Sequence, residues 1–250
     1  MGNGASATRR PAPPAAALYG EFALSGKASE TIGISGQVAA DSGAERLLDG
    51  LVSTLGRGVG ARPVRQSSTL PWLASATQAI NDPTPFDRRL KLKSGYRRRR
   101  FTDQQIATAY RYLTGAEHND PSGHLFINTY GGRVNAVSPG TTAMPHRDSI
   151  FLIGFLAGWQ DAAEDSRHLT WIRELYHDFY AADGGVPAGE DDDGAFINYA
   201  DADLADPRYN TSAPPWHALY YKGDYVRLQQ VKRRWDPRDV FRHALSIRPT

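Results

Sequence analysis

The chain has 250 residues, of which 40% are hydrophobic and 22% charged, the make-up of a globular protein long enough to bury a sizeable core. Its net charge of +2 is too small to point to nucleic acid or a membrane surface as partner. With no cysteine, it is barred from disulfides, iron–sulfur clusters, thiolate zinc sites and cysteine nucleophiles.

Residues 1–17 are rich in Gly, Ala and Pro and read as a disordered lead. Arg9 and Arg10 are followed by no apolar run, so a signal peptide is not expected. No stretch approaches the roughly 18 apolar residues of a membrane span, and a cytoplasmic protein is expected. Strands are predicted over residues 18–24 and 30–38, the second from the alternation of Ile32, Ile34 and Gly36 with polar or small residues, with a turn at Gly26-Lys27. Leu47, Leu48, Leu51 and Leu55 form one stripe of a helix over 44–55, which the glycines at 56, 58 and 60 end. Residues 70–80 are weakly helical, 82–85 a turn and 90–96 a strand.

Thr102-Asp103-Gln104-Gln105 has the pattern of a capping box, in which the threonine hydroxyl and the glutamine amide satisfy two free backbone N–H groups. Ile106, Ala109, Tyr110 and Leu113 then follow helical spacing. Residues 124–129 read as a strand that Gly131-Gly132 turns toward a second one near 134–137. Residues 150–156 read as a buried strand. The longest helix is predicted over 162–180, with Leu169, Ile172, Tyr176 and Phe179 on one face. A flexible acidic loop over 184–194, a short strand over 196–199 and a last helix over 224–235, with Tyr225, Leu228, Val231, Lys232 and Trp235 on one side, complete the chain. Strands and helices are mixed without regular alternation. That predicts an α+β fold: a largely antiparallel sheet with helices packed on one face, and Ile32, Ile127 and Ile153 on buried strands.

Three motifs have plain readings. Gly56-Arg57-Gly58-Val59-Gly60 follows a helix rather than a strand, the wrong context for a dinucleotide loop. The run Arg97 to Arg100 lacks interleaved aromatics and reads as a solvated face. The 7 histidines form no His-x-x-x-His pair and none stands at ligand spacing from a carboxylate, so a metal site is not expected.

The strongest signal is spread over the last half of the chain. It comprises Tyr130-Gly131-Gly132-Arg133-Val134-Asn135 with Thr142-Ala143-Met144-Pro145-His146-Arg147, and then Asn198-Tyr199-Ala200-Asp201-Ala202-Asp203-Leu204. Trp216 follows, then Tyr220-Tyr221-Lys222-Gly223-Asp224-Tyr225-Val226-Arg227-Leu228, and a tail through Val231-Lys232, Asp236-Pro237 and Val240-Phe241-Arg242 to Ser246-Ile247. On residue type alone, Tyr199 is a core tyrosine, Gly131-Gly132 a hairpin turn, and Asp201 and Asp203 caps or surface charges. In order and spacing, however, these pieces resemble the substrate domain and C-terminal segment of the berberine bridge family of FAD-dependent oxidases, over about residues 18–250.

The resemblance implies a substrate-binding domain over 18–184, a C-terminal berberine-bridge-like segment over 185–250, and FAD as cofactor. It implies that Tyr199 is the general base, taking a hydroxyl proton while the substrate carbon gives hydride to flavin. Asn198, Tyr221 and Asp224 would lie toward the flavin, and Tyr130, His146 and Arg147 toward a small-molecule substrate. A free tyrosine has a pKa near 10, so this role needs a neighbouring cation or donor, for which Arg147 and Arg133 are the candidates. Two departures stand out. The family's Tyr-Gly-x-Asn-Tyr is Tyr221-Lys222-Gly223-Asp224-Tyr225 here, and an ionised acid cannot donate as the amide does. The family's flavin domain has no counterpart before Leu18, so a fragment, a truncated product or one half of a split enzyme with a separate FAD-binding chain is expected. The alternative is a non-catalytic remnant or binding module of the same fold.

Overall fold

The computed structural model describes residues 17–26, 32–39, 43–60, 64–77, 88–115, 120 and 122–250. The expected lead over 1–17 lies almost wholly outside them, as do the turn at 82–85 and Lys27.

Five antiparallel strands form one sheet in the order β2-β1-β4-β5-β3. They are β1 (Ala17–Ser25), β2 (Ile32–Ala39), β3 (Arg89–Arg97), β4 (Gly123–Thr129) and β5 (Phe151–Trp159). The α-helices are α1 (Ala44–Leu55), α2 (Trp72–Thr77), α3 (Asp103–Thr114), α4 (Asp165–Phe179), α5 (Trp216–Tyr221) and α6 (Tyr225–Trp235). The fold is α+β, as expected.

Alternation along the strands divides the sheet into two unlike faces. Leu125 and Ile127 of β4 stand opposite Phe155 and Ile153 of β5, and this face is covered by α4, with α3 packed against α4. Phe155, Ile172, Leu175 and Tyr176 are almost wholly buried there, each contributing about 1.5–3 kcal/mol through removal of apolar surface from water. α1 packs on the same side, where a side chain at Gly36 would press on Leu48 and Leu51. The other face carries Tyr19, Glu21, Phe126, Asn128, Leu152 and Tyr96 in adjoining cross-strand rows.

Several expectations are corrected by packing. Ile32 is 63% exposed, because β2 is the sheet's edge, whereas Ile153 is buried and Ile127 packs against the core. In α3 the capping box forms as expected, with Thr102 accepting from the Gln105 N–H. Its buried face is Gln105, Thr108, Ala109, Tyr112 and Leu113, while Ile106 and Tyr110 are exposed. The reason is Tyr112, whose hydroxyl donates to Asp178 on α4 at 2.8 Å and fixes the helix's rotation. The strand expected near 134–137 is a short 3₁₀ helix, Gly132–Ala136, entered through Gly131 at φ 113° and Gly132 at φ 60°. Two successive glycines in conformations closed to L side chains turn the chain off the sheet. On α6 only Tyr225 is buried; Val231 and Trp235 are exposed.

The acidic loop and the arginine run answer each other. Arg97 and Asp192, both 2% exposed, pair at 2.7 Å; Arg98 and Lys222 both reach Asp193. Tyr96 N–H donates to Gly194 O and Asp193 N–H to Tyr96 O, so residues 191–194 run along the free edge of β3. The loop is therefore buried rather than flexible, and Arg97 is not on a solvated face. Val186, Ala195, Leu204, Trp216, Leu219, Tyr220 and Leu245 join the same core as the sheet.

Candidate active site on the aromatic face of the sheet

The chain leaves the edge of β3 at Gly194, where a Cβ would meet the Leu219 carbonyl oxygen at 2.1 Å and φ is 86°. Ala195 N–H then donates to that carbonyl, and Tyr199 N–H to Phe196 O at 3.0 Å. Residues 196–199 thus form a turn, not the short strand expected: Phe196 N–H donates to the Ser94 side chain of β3 at 3.0 Å, and the turn closes with Tyr199 N–H on Phe196 O, with no backbone ladder to β3. The turn delivers Tyr199 over the sheet face opposite α4. Its ring stands edge-on to Phe126 at 6.0 Å and to Phe196 at 5.0 Å. Phe126 in turn lies over Gly154, where any Cβ would strike its ring.

Past the turn, on the α4 side of the sheet where Lys93 stands opposite Phe155, lies a buried ionic network. Lys93 Nζ donates to Asp201 at 2.5 Å and to Asp203 at 2.9 Å; Lys91 reaches Asp201 at 2.6 Å and Arg173 reaches Asp203 at 3.0 Å. Asp201 and Asp203 are thus neither simple caps nor surface charges, although the Asp201 carboxylate does also accept from the Asp203 N–H. The network anchors the segment that immediately follows Tyr199.

Tyr199 itself is half-buried. Burial first, and then the Glu21 carboxylate, raise its pKa above the ordinary tyrosine value. Neither arginine expected beside it serves. Arg147 donates to Met144 O, Val134 O and Thr142 Oγ1, tying its own loop together, and Arg133 is exposed. Sequence reasoning did not single out Tyr19, Glu21 or Asn128, which neighbour Tyr199 on this face. The signal was present in the two-residue spacing of Tyr19 and Glu21, but β4 is far from β1 in sequence. Tyr19 O–H lies 3.0 Å from Asn128 Oδ1 and 3.2 Å from Glu21 Oε2, and burial lifts its pKa to about 12.

The other expected residues fall into two groups. Tyr130 and His146 lie beside Tyr96, with ring centroids at 4.9 and 4.4 Å, and Tyr130 O–H donates to His146 O at 3.0 Å. They join the aromatic wall that includes Phe196. His146 is fully buried, Nε2 against Leu219 O at 3.1 Å, and braces the wall. Asn198 is exposed at the tip of the turn. Tyr221 and Asp224 lie apart, in the C-terminal segment. Tyr221 lines an open groove with Lys232, Phe241, Leu245 and Ile247, to which no residue of the sheet face contributes. Asp224 Oδ2 is buried without a hydrogen-bond partner.

His146 and Asp192 titrate in opposite senses. Burial, then Lys222, depresses His146 from 6.5 to about 4, so the unfolded chain binds a proton that the folded one refuses, and stability is lost as pH falls through that window. Burial raises Asp192 from 3.8 to about 6 despite Arg97, so the folded state takes the proton first and stability is gained over much the same window. The two contributions offset. Replacing His146 by Gln is expected to remove its share of the acid sensitivity: on acidification from about pH 6.5 to about pH 4 the variant's melting temperature falls less than that of the wild type. Melting curves across that range check it; a variant that loses stability faster than wild type would contradict the assignment.

Residues 195–248 match the family model described as berberine and berberine like. Over 238 residues the chain is 45% identical to the aclacinomycin-N/aclacinomycin-A oxidase of Streptomyces galilaeus, a match covering 94% of this chain and 43% of that protein. It is 31% identical over 186 residues to the hexose oxidase of Chondrus crispus, covering 68% of this chain and 33% of the relative. The crystal structure of CrmK, a flavoenzyme of caerulomycin biosynthesis, superposes with a TM-score of 0.86 at 42% identity, over 93% of this chain and 48% of that one. Fold and relatives therefore place the chain in the class of domains found in flavoprotein oxidoreductases. Within it, the chain belongs to the berberine bridge enzyme-like family of FAD-linked oxidases. It spans about half the length of the relatives it matches.

The residues present fit such a cofactor in part. A sheet face lined by Tyr19, Phe126 and Tyr199 suits a flat aromatic ring, and the unpartnered Asp224 oxygen suits an N–H or O–H donor. Among the described residues, no group of His, Asp and Glu is arranged to hold a metal ion, and no helix is long and apolar enough to cross a membrane.

Proposed function

We propose that this chain forms the substrate-facing part of an FAD-dependent oxidoreductase that oxidises a hydroxyl group of a sugar-like or secondary-metabolite substrate. The observation that carries it is Tyr199 standing edge-on to Phe126 on the aromatic face opposite α4, two residues before a segment anchored by a buried ionic network. The high identity to an aclacinomycin oxidase and the likeness to a hexose oxidase support the substrate class.

FAD, when bound, would supply the hydride acceptor that alcohol oxidation requires. Tyr199 would take the hydroxyl proton. Phe126 and Phe196 hold its ring at a fixed angle, and Tyr96, Tyr130 and His146 shape the adjoining wall. Asp224 and Tyr221 would meet the cofactor from the C-terminal segment, with Asn198 at the tip of the turn. The partner is a flavin-binding half, in the same polypeptide or a separate one.

The test is to supply that half. The chain alone is expected to retain no FAD through gel filtration. Joined to or co-purified with a flavin-binding half of the same family, it should yield a flavin-loaded protein whose flavin is bleached anaerobically by a glycoside or secondary-metabolite alcohol. A stable flavin-loaded complex that no such alcohol reduces would overturn the reading.

A further inference from the structure

The two edges of the sheet are built differently. Residues 191–194 run along the edge of β3 and bond to it, whereas among the described residues nothing pairs with the outer edge of β2. We propose that β2 is the pairing edge for a second copy of this chain: two β2 strands meet antiparallel about a two-fold axis perpendicular to the sheet and join two five-stranded sheets into one.

The strand has none of the usual defences of an edge. It reads Ile32-Gly33-Ile34-Ser35-Gly36-Gln37-Val38-Ala39, 8 residues without a charge or a proline. Native edge strands are normally kept from pairing by a lysine, a proline, a bulge or a covering element, and a long uncharged edge is a template for another strand. Its register with β1 runs unbroken from Leu24↔Ile32 to Ala17↔Ala39, so no bulge turns the edge aside. Every second residue therefore points its N–H and C=O away from β1.

The apolar rows of the core run out to this edge and stop there. Phe155, Leu125, Leu24 and Ile32 stand in one cross-strand row, and Ile153, Ile127, Phe22 and Ile34 in the next. Both rows start from buried residues on β5 and end on exposed isoleucines, Ile34 at 38%. The helix layer stops in the same way. α1 lies over Gly36 through Leu48 and Leu51, yet none of its residues is buried. On the opposite face α2, tied to β2 by the Gln37 amide donating to Ser75 Oγ at 2.5 Å, leaves Trp72 75% exposed.

A second β2 supplies what this edge lacks: a strand, an apolar row on the matching face and a helix above it. A two-fold axis perpendicular to the sheet brings the α1 side of one copy beside the α1 side of the other. Opposed residues in an antiparallel pair point to the same face, so a central residue must stand opposite its own copy. Centring on Ser35 keeps both isoleucines in the overlap, with Ile32 opposite Val38 and Ile34 opposite Gly36. The overlap makes about six to eight ladder hydrogen bonds, against roughly ten in a standard interface. Charge does not oppose the pairing, since β2 carries none and Glu45 and Asp49 of α1 are paired with Arg65 of their own chain. A helical or strongly charged partner would leave the row of outward N–H and C=O groups or the row of isoleucines unmatched.

The test is the oligomeric state of the purified chain. Sedimentation equilibrium at about 1–100 μM is expected to show a monomer–dimer equilibrium. The double variant Ile32→Lys, Ile34→Lys puts charge on side chains that are already exposed, so its circular dichroism should match wild type while dimerisation weakens about 10-fold or more. Because the chain has no cysteine, Ser35→Cys reports on the seam alone: opposite its own copy it lies within reach of a disulfide, and oxidation should give a covalent dimer. A chain that stays monomeric throughout, a dimer indifferent to the two lysines, or a dimer that Ser35→Cys does not cross-link overturns the proposal. So does a one-to-one complex with a flavin-binding half in which the β2 amides are protected from hydrogen exchange and no second copy is present, since the edge then belongs to that half.

Discussion

Replacing Tyr199 by Phe is expected to lower turnover of the flavin-loaded protein by about 10²–10⁴-fold, the usual worth of a positioned proton-transfer group. Flavin binding and the melting temperature should change little. The ring contacts with Phe126 and Phe196 survive the substitution, and only the hydroxyl is removed. A typical intramolecular hydrogen bond is worth about 0.5–1.5 kcal/mol net, which bounds the stability loss. A tyrosine that served only the core would give the opposite pattern: some loss of stability, with turnover per folded molecule unchanged. Steady-state kinetics and a thermal melt on one flavin-loaded sample separate the two. Turnover within a factor of two of wild type would remove Tyr199 from the chemistry.

The largest effect on stability is expected at Lys93. Its ammonium is 2% exposed, bonded to both Asp201 and Asp203 and set over the Tyr176 ring at 4.7 Å. Lys93→Ala leaves two buried carboxylates facing each other with Lys91 and Arg173 alone to compensate, and opens a void. Breaking a buried pair in this way costs about 3–5 kcal/mol, a large share of the roughly 5–15 kcal/mol that holds an ordinary domain together. Lys93→Met keeps the volume and isolates the charge, so it should recover part of the loss. Urea unfolding of the three proteins checks this; a loss below about 1 kcal/mol in Lys93→Ala would mean that the network is not what fixes the turn. Because Asp201 follows Tyr199 so closely, the same variant should also disorder the active face.

The fold class was legible in the sequence because apolar periodicity is local. The β-branched strand at 151–159, the apolar stripe of α4 and the capping box before α3 all depend on residues within a few positions of each other. The expectations that failed required knowledge of neighbours. Ile32 alternates as a buried strand should, yet β2 is an edge. Ile106 and Tyr110 fit a helical stripe, yet Tyr112 finds Asp178 and turns them outward. The residues 196–199 look extended, yet Gly194 and the Leu219 carbonyl bend the chain before a strand can form.

The site divides the same way. The resemblance to a known family, carried by residue order and spacing, picked out Tyr199 and the tyrosine-rich tail, because a family pattern is written along one dimension. Charge partners are not. Arg97 and Asp192 stand 95 positions apart and become a buried pair, while Arg147, near in pattern to the site, turns back on its own loop. Whether a tyrosine sits beside a cation or an anion depends on strand register, which is set by which face must be buried and which is left bare. By itself the sequence determined most of the elements and the family whose pattern points to Tyr199; only the tertiary structure decided what surrounds that tyrosine, because contacts between distant strands depend on register and packing and not on local order.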